Sequence, residues 1–173
     1  MRPEEWTDLR FVWLQRGIYE DKFEITDLEI RDARQISEDQ YEYYSDEYRP
    51  LKKDDMYFTP DGTAFIRGHV QIPAHMKGKN IYFTLHTAAE MIVKINGKYV
   101  GGVDPNRERI LLNPYIDSDD LTIEIEAYNR SKPDDERNPA SLAHRGCRQI
   151  FEGAYLSTIR DNVQSLVYDY ILF

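Results

Sequence analysis

The sequence predicts a mainly β protein: an antiparallel sandwich with a short helix at its N-terminal end and an amphipathic helix at its C-terminal end. Three observations carry this. Apolar and polar residues alternate with period two in runs at 63–72, 81–85, 91–95 and 121–127, as strands buried on one face require. The pair Asn96-Gly97 stands between two β-runs, and Asn-Gly is the preferred two-residue type I′ hairpin turn because both positions take positive φ. Turn signals separate at least seven β-segments without intervening helical patterns, which favours a sandwich over a βαβ sheet.

Taken in order, Pro3 followed by Trp6, Leu9, Trp13 and Leu14 predicts a short first helix, with the two tryptophans in its buried stripe. Residues 37–55 hold seven acids, three bases and the tyrosines Tyr41, Tyr43, Tyr44 and Tyr48. That is too aromatic for a disordered acidic tail, so the segment is expected to pack on the surface, partly extended. In the first clear strand Ala64, Ile66, Gly68, Val70 and Ile72 alternate with Phe65, Arg67, His69 and Gln71, and Pro73 stops it. Ile81, Phe83 and Leu85 mark the next strand, and Met91, Val93 and Ile95 the one before the hairpin turn. Gly101-Gly102 and Asp104-Pro105-Asn106 are turns, and a short strand follows through Ile110. Leu121, Ile123, Ile125 and Ala127 oppose Thr122, Glu124 and Glu126, whose charges must face water. Residues 129–148 read as a long charged loop, and a last strand falls between Ile150 and Arg160.

The final segment opens at Asp161 with Gln164 three residues on, the spacing of a capping box. Val163, Leu166, Val167, Tyr170 and Ile171 follow a 3.6-residue period with no terminating Gly, Asn or Pro before Phe173. The expected organisation is therefore 1–55 as helix and Tyr-rich segment, 56–160 as sandwich, and 161–173 as the start of a linker helix toward a further domain.

Composition narrows the function. The 173 residues carry 22 Lys+Arg against 31 Asp+Glu, a formal charge of −9, which argues against a nucleic-acid binder needing a basic face. No run approaches the ~20 apolar residues of a bilayer span, and the N-terminus lacks a signal-peptide core. One cysteine, Cys147, allows no internal disulfide and fits a reducing, cytoplasmic setting.

Residues able to do chemistry are few. The histidines His69, His75, His86 and His144 show no metal-ligand spacing, although His69 and His86 could share a face of neighbouring strands as a two-ligand site. There is no G-x-S-x-G elbow and no phosphate-cradling loop. Glu124 and Glu126 share a face of one strand, unlike a glycosidase pair facing across roughly 5 to 10 Å. The tyrosines of 41–48 can serve packing or ligand binding, and packing is the favoured reading. The residues alone identify no enzyme.

A series of motifs adds to this. Asp61–Pro73 (DGTAFIRGHVQIP), 76–85 (MKGKNIYFTL), 89–98 (AEMIVKINGK) and 101–107 (GGVDPNR) follow in order, and IEAY at 125–128 and FEGAYL at 151–156 with VQSLVYD at 163–169 complete the set. This set resembles the N-terminal β-sandwich of bacterial glycoside hydrolase family 38 α-mannosidases, over roughly residues 56 to 173. Ala89, Ile66 and Arg107 depart from it, standing where glycine, an aromatic and histidine are common.

The resemblance implies a jelly-roll, galactose-binding-like sandwich preceding a zinc-dependent catalytic barrel that these residues do not include. The chain would then be a non-catalytic module of a cytoplasmic, homo-oligomeric α-mannosidase acting on mannose-containing oligosaccharides. Its partner would be its own catalytic domain, with no cofactor in the fragment itself and neither nucleic acid nor membrane bound. Glu90, Asp104, Asn106 and Arg107 are then candidates for a substrate mouth or interface; the alternative is that Asp104 caps its own turn and Arg107 pairs with it. Alternatives are a free-standing carbohydrate-binding module using a sandwich face or the tyrosines, and a protein-interaction domain using the last helix.

Overall fold

The computed structural model describes residues 11, 13–15, 17–57, 62–86, 89–104, 107–128 and 149–172. The N-terminal edge of the sandwich comprises β1 (Tyr19–Glu24), β2 (Leu28–Ser37), β3 (Gln40–Tyr43), β4 (Arg49–Pro50) and β5 (Met56–Tyr57). Then come β6 (Thr63–Gln71), β7 (Tyr82–Leu85), β8 (Glu90–Ile95), β9 (Lys98–Val103), β10 (Arg109–Leu111) and β11 (Asp120–Tyr128). The short β12 (Gln149–Ile150), β13 (Ala154–Ile159) and helix α1 (Asp161–Leu172) complete the order.

These strands form a β-sandwich. The smaller sheet runs β1-β13-β7-β10; the larger runs β3-β2-β6-β11-β8-β9, with β4 also on β2 and a separate β5-β12 pair. Every pairing between these strands is antiparallel. From β6 onward the chain passes back and forth between the two sheets, the jelly-roll manner of closing a core.

The predicted alternation holds. Ala64, Ile66 and Val70 of β6 and Leu121, Ile123, Ile125 and Ala127 of β11 are buried, and Phe83, Leu85 and Leu156 of the smaller sheet meet them without exposure. Each of these Val, Ile, Leu and Phe side chains contributes about 1.5–3 kcal/mol relative to leaving it in water. Asn96 and Gly97 take φ of 50° and 73°, as a type I′ turn demands. Asn96 also extends the sheet, its Oδ1 accepting the Thr122 N–H at 2.8 Å. At Gly68 a Cβ would lie 2.4 Å from both the Asp27 carbonyl oxygen and Leu28 Cδ2, so only glycine lets β2 come this close.

Four readings of the sequence change. Tyr19–Glu24 and Leu28–Ser37 are strands that the sequence pattern did not reveal; they pair with β13 and β6 respectively. Trp13 is 74% exposed rather than part of a buried stripe; Trp6 lies outside the described residues. The capping box does not form: Val163 and Gln164 N–H groups both donate to the Arg160 carbonyl, and Gln164 Nε2 donates to Tyr168 Oη. On the helix, Val167 is buried while Leu166 is 49% exposed; the side chains of Tyr170 and Ile171 lie outside the described ones. The long loop at 129–148, with Cys147 and His144, lies outside the described residues.

Helix α1 is tied to the start of β1. Arg160 donates from Nη1 to the carbonyls of Gly17 at 2.9 Å and Tyr19 at 2.6 Å, and its backbone N–H reaches Ile18. The phenol of Tyr82 on β7 is raised first by burial and then by the charge of Asp161, so the helix start lies close to the smaller sheet.

Candidate functional site

Asp104 and Arg107, the polar turn singled out in the sequence, form a closed unit. Their backbones exchange N–H···O bonds of 3.2 and 3.0 Å. Asp104 Oδ1 accepts the Arg107 N–H at 3.0 Å, while Oδ2 accepts Nε at 3.0 Å and lies 2.8 Å from Nη2. This is an aspartate capping its own turn with the arginine folded back on it. Met91 pairs with Val103, so exposed Glu90 and the Asp104 turn share one end of the β8–β9 hairpin. Asn106 lies outside the described residues. His69 and His86 are not neighbours: His69 is on β6 of the larger sheet with Asp120 at 2.5 Å, and His86 follows β7 of the smaller sheet with Glu108 at 3.1 Å. Among the described residues no three of His, Cys, Asp and Glu converge to hold a metal.

Two other clusters come together, one on the outer face of each sheet. On the smaller sheet the hydroxyls of Thr84 and Ser157 lie 2.6 Å apart and are wholly buried although they point outward. Tyr19, Lys22 and Tyr155 gather over this side. The Lys22 ammonium stands 3.9 Å from the Tyr19 ring centroid, 5.1 Å from that of Tyr155 and 3.3 Å from His86 Nε2. Glu108 Oε2 lies 3.1 Å from His86 Nδ1; a proton on Nδ1 is donated to that oxygen and leaves Nε2 facing the lysine. The hydrogen bond from His86 holds the Glu108 carboxyl below its ordinary value. Burial lowers Lys22 and raises Tyr19.

On the larger sheet, register builds two rungs across five strands. The first is Glu29, Arg67, Glu124, Lys94 and Tyr99 on β2, β6, β11, β8 and β9; the second is Arg31, Phe65, Glu126, Ile92 and Gly102 on the same strands. Period-two geometry turns both rungs outward, because the alternate positions Ile66, Ile125 and Val93 fill the core. Tyrosines from β3 and the following loop roof the β2–β6 side. Tyr41 meets Phe65 edge-on at 4.9 Å, Tyr43 lies 5.7 Å from it, and Tyr48 stacks with the Arg67 guanidinium at 4.0 Å. Arg31, whose Nε has no hydrogen-bond partner among the described residues, is held by the rings of Tyr43 at 3.6 Å and Tyr48 at 4.8 Å. Tyr41 donates to Glu126 Oε1 at 2.5 Å, and that bond pushes its phenol up to about 12.

The β8–β9 side is not roofed. Between Tyr48 and Phe65 on one side and Tyr99 on the other lies a groove of about 300 Å³, its floor made by Arg67, Glu124, Glu126, Ile92 and Lys94. Tyr99 is 67% and Ile92 52% exposed within it. The sequence marked the tyrosines and the two glutamates separately. Only strand register brings them to one place.

No family model and no curated protein matches the sequence. Among solved structures, a calcium-binding mutant of β-glucuronidase 2 from Bacteroides uniformis shares the fold with a TM-score of 0.50 and 17% identity over 79% of this chain. Two weaker likenesses are to the β-D-glucuronidase of Dictyoglomus thermophilum (TM-score 0.44, 18% identity, 80% of this chain) and the α-L-rhamnosidase of Streptomyces avermitilis complexed with L-rhamnose (TM-score 0.25, 11%, 64%). This chain spans 18%, 28% and 19% of those three proteins, under a third of each.

Proposed function

We propose that this chain is a non-catalytic β-sandwich module of a glycoside hydrolase and that its parent is a cytoplasmic α-mannosidase. The observation that carries the reading is the sandwich common to this chain and to a limited part of a much longer β-glucuronidase. The choice of mannose rests on the ordered motif series. It falls on consecutive elements: β6 up to Pro73, β7, the β8–β9 hairpin and the Asp104–Arg107 turn. In this reading the zinc and the acid–base chemistry belong to a separate barrel. The module packs against that barrel, with Glu90 and the Asp104 turn at the contact, and supports the contacts of a homo-oligomer.

Antibodies raised against the purified chain test the assignment in the cells that make it. The expected catch is a polypeptide well above 20.5 kDa that releases phenol from an aryl α-mannoside and loses this activity to a zinc chelator. A 20.5 kDa species without glycosidase activity overturns the module reading. A long hydrolase that cleaves a different glycoside overturns the mannose assignment alone.

A further inference from the structure

The geometry points to a binding site for an uncharged pyranoside in the groove between Tyr48–Phe65 and Tyr99 on the outer face of the larger sheet. The inference rests on the groove itself; only the inclusion of a mannoside among the probes below leans on the proposed parent. Three features select this ligand.

The first is charge. Arg67 and Lys94 on the floor are matched by Glu124 and Glu126. Glu124 sits in register between Arg67 and Lys94, Arg67 also bonds Glu29 at 2.8 Å, and Glu126 accepts from Tyr41. An ionic ligand therefore finds no excess of the opposite sign. A ring of hydroxyls finds acceptors and donors side by side, and each hydroxyl both donates and accepts.

The second feature is the apolar surface set among those charges. The Lys94 ammonium stands 4.6 Å from the Tyr99 ring centroid, and the remaining exposed ring surface, with Ile92 and facing the Tyr48–Phe65 wall, offers ring and alkyl surface to the C–H face of a pyranose. Gly102, in register with Ile92, adds no side chain to the β9 wall. The third is size. The volume, about 300 Å³, is at the low end for small-molecule sites, and the floor from β6 to β9 spans three strand spacings, about 14 Å. One or two sugar rings fill such a groove.

The test is a titration of the ¹⁵N-labelled chain, followed by amide shifts, with methyl α-mannopyranoside, methyl β-glucopyranoside and glucuronate. We expect saturable shifts at Ile92, Lys94, Tyr99 and Glu124 with a neutral glycoside, at a dissociation constant of about 1–10 mM. Tyr99→Ala should weaken binding by about tenfold or more while Tyr99→Phe keeps it. Tyr44→Ala, outside the groove and 54% exposed, should change nothing. Because Tyr99 is a surface residue, circular dichroism of the variant should match the parent. The site is refuted if no neutral glycoside produces shifts at about 100 mM, if the shifts fall elsewhere, if Tyr99→Ala binds as before, or if glucuronate binds tighter. A groove that takes the glucoside and rejects the mannoside confirms the site and counts against the mannosidase parent, so the two failures read separately.

Discussion

The outer faces of the two sheets are built from the same ingredients, tyrosines with lysine, arginine and glutamate, yet one is closed and the other open. On the smaller sheet Tyr19, Lys22, Tyr155, His86 and Glu108 satisfy one another, and the Thr84–Ser157 pair beneath them is sealed from water. On the larger sheet the tyrosines roof only the β2–β6 half, and the rungs run on under open space to Tyr99. Polar residues turned outward thus have two uses. Where they close over buried hydroxyls they add to stability, and where they stay uncovered beside aromatic rings they are available to a ligand.

Breaking the closed face should have the largest effect. Ser157→Ala removes one of two partners of the Thr84 hydroxyl, which also bonds the Tyr19 phenol, in a site with no exposure. Losing that bond costs about 0.5–1.5 kcal/mol, read as a lower urea midpoint at unchanged m-value. Tyr99→Ala on the open face should stay within about 0.5 kcal/mol of the parent. Equal losses from the two variants would erase the contrast between the faces.

A smaller effect should follow acid. The folded-state pKa of Glu108 lies below its ordinary value because His86 donates to it. A depressed carboxyl contributes stability that is fully present above its unfolded pKa, about 4.3, and lost as pH falls through the lower folded value. Denaturation curves across this window should show that loss in the parent protein and a flatter profile in Glu108→Gln. An unchanged profile would mean that the His86–Glu108 bond adds nothing to the closed face.

The smallest signal belongs to the roof of the open face. Among the 13 tyrosines, Tyr41 should ionise near 12 because it donates to Glu126. The contribution of a raised phenol is complete below its unfolded value of about 10 and vanishes as pH climbs through the folded one. Tyr19 and Tyr82 are raised as well, so ultraviolet titration should show a late phase from which Tyr41→Phe removes the amplitude of one tyrosine. If the late amplitude is unchanged in that variant, Tyr41 is not what anchors the roof to Glu126.

How far the sequence could be read differs from strand to strand. Strands β6, β8 and β11 announced themselves because one face is apolar at every second residue, and the hairpin because Asn96-Gly97 fixes its own turn. Strand β1 gave no such signal: Tyr19–Glu24 is an edge strand, mostly polar and exposed, and its pairing with β13 supplies what its own pattern lacks. Strand β2 begins with buried Leu28 and Ile30 and then runs into exposed polar residues, so its period fades halfway. The Asp104–Arg107 turn was legible because both partners lie within three residues. The Tyr41–Glu126 bond was not, because its partners stand 85 residues apart.

By itself the sequence determined that β6, β8 and β11 are strands with one wet face, where the hairpin turns and where the final helix begins, since these follow from side-chain period, backbone sterics and local hydrogen bonding. Tertiary structure alone decided that His69 and His86 belong to different sheets, that Trp13 faces water, and that Phe65, Glu124, Ile92 and Tyr99 share one groove. The reason is register. A strand's own residues say which of them face outward, but only its hydrogen-bonded neighbours decide what stands beside each one.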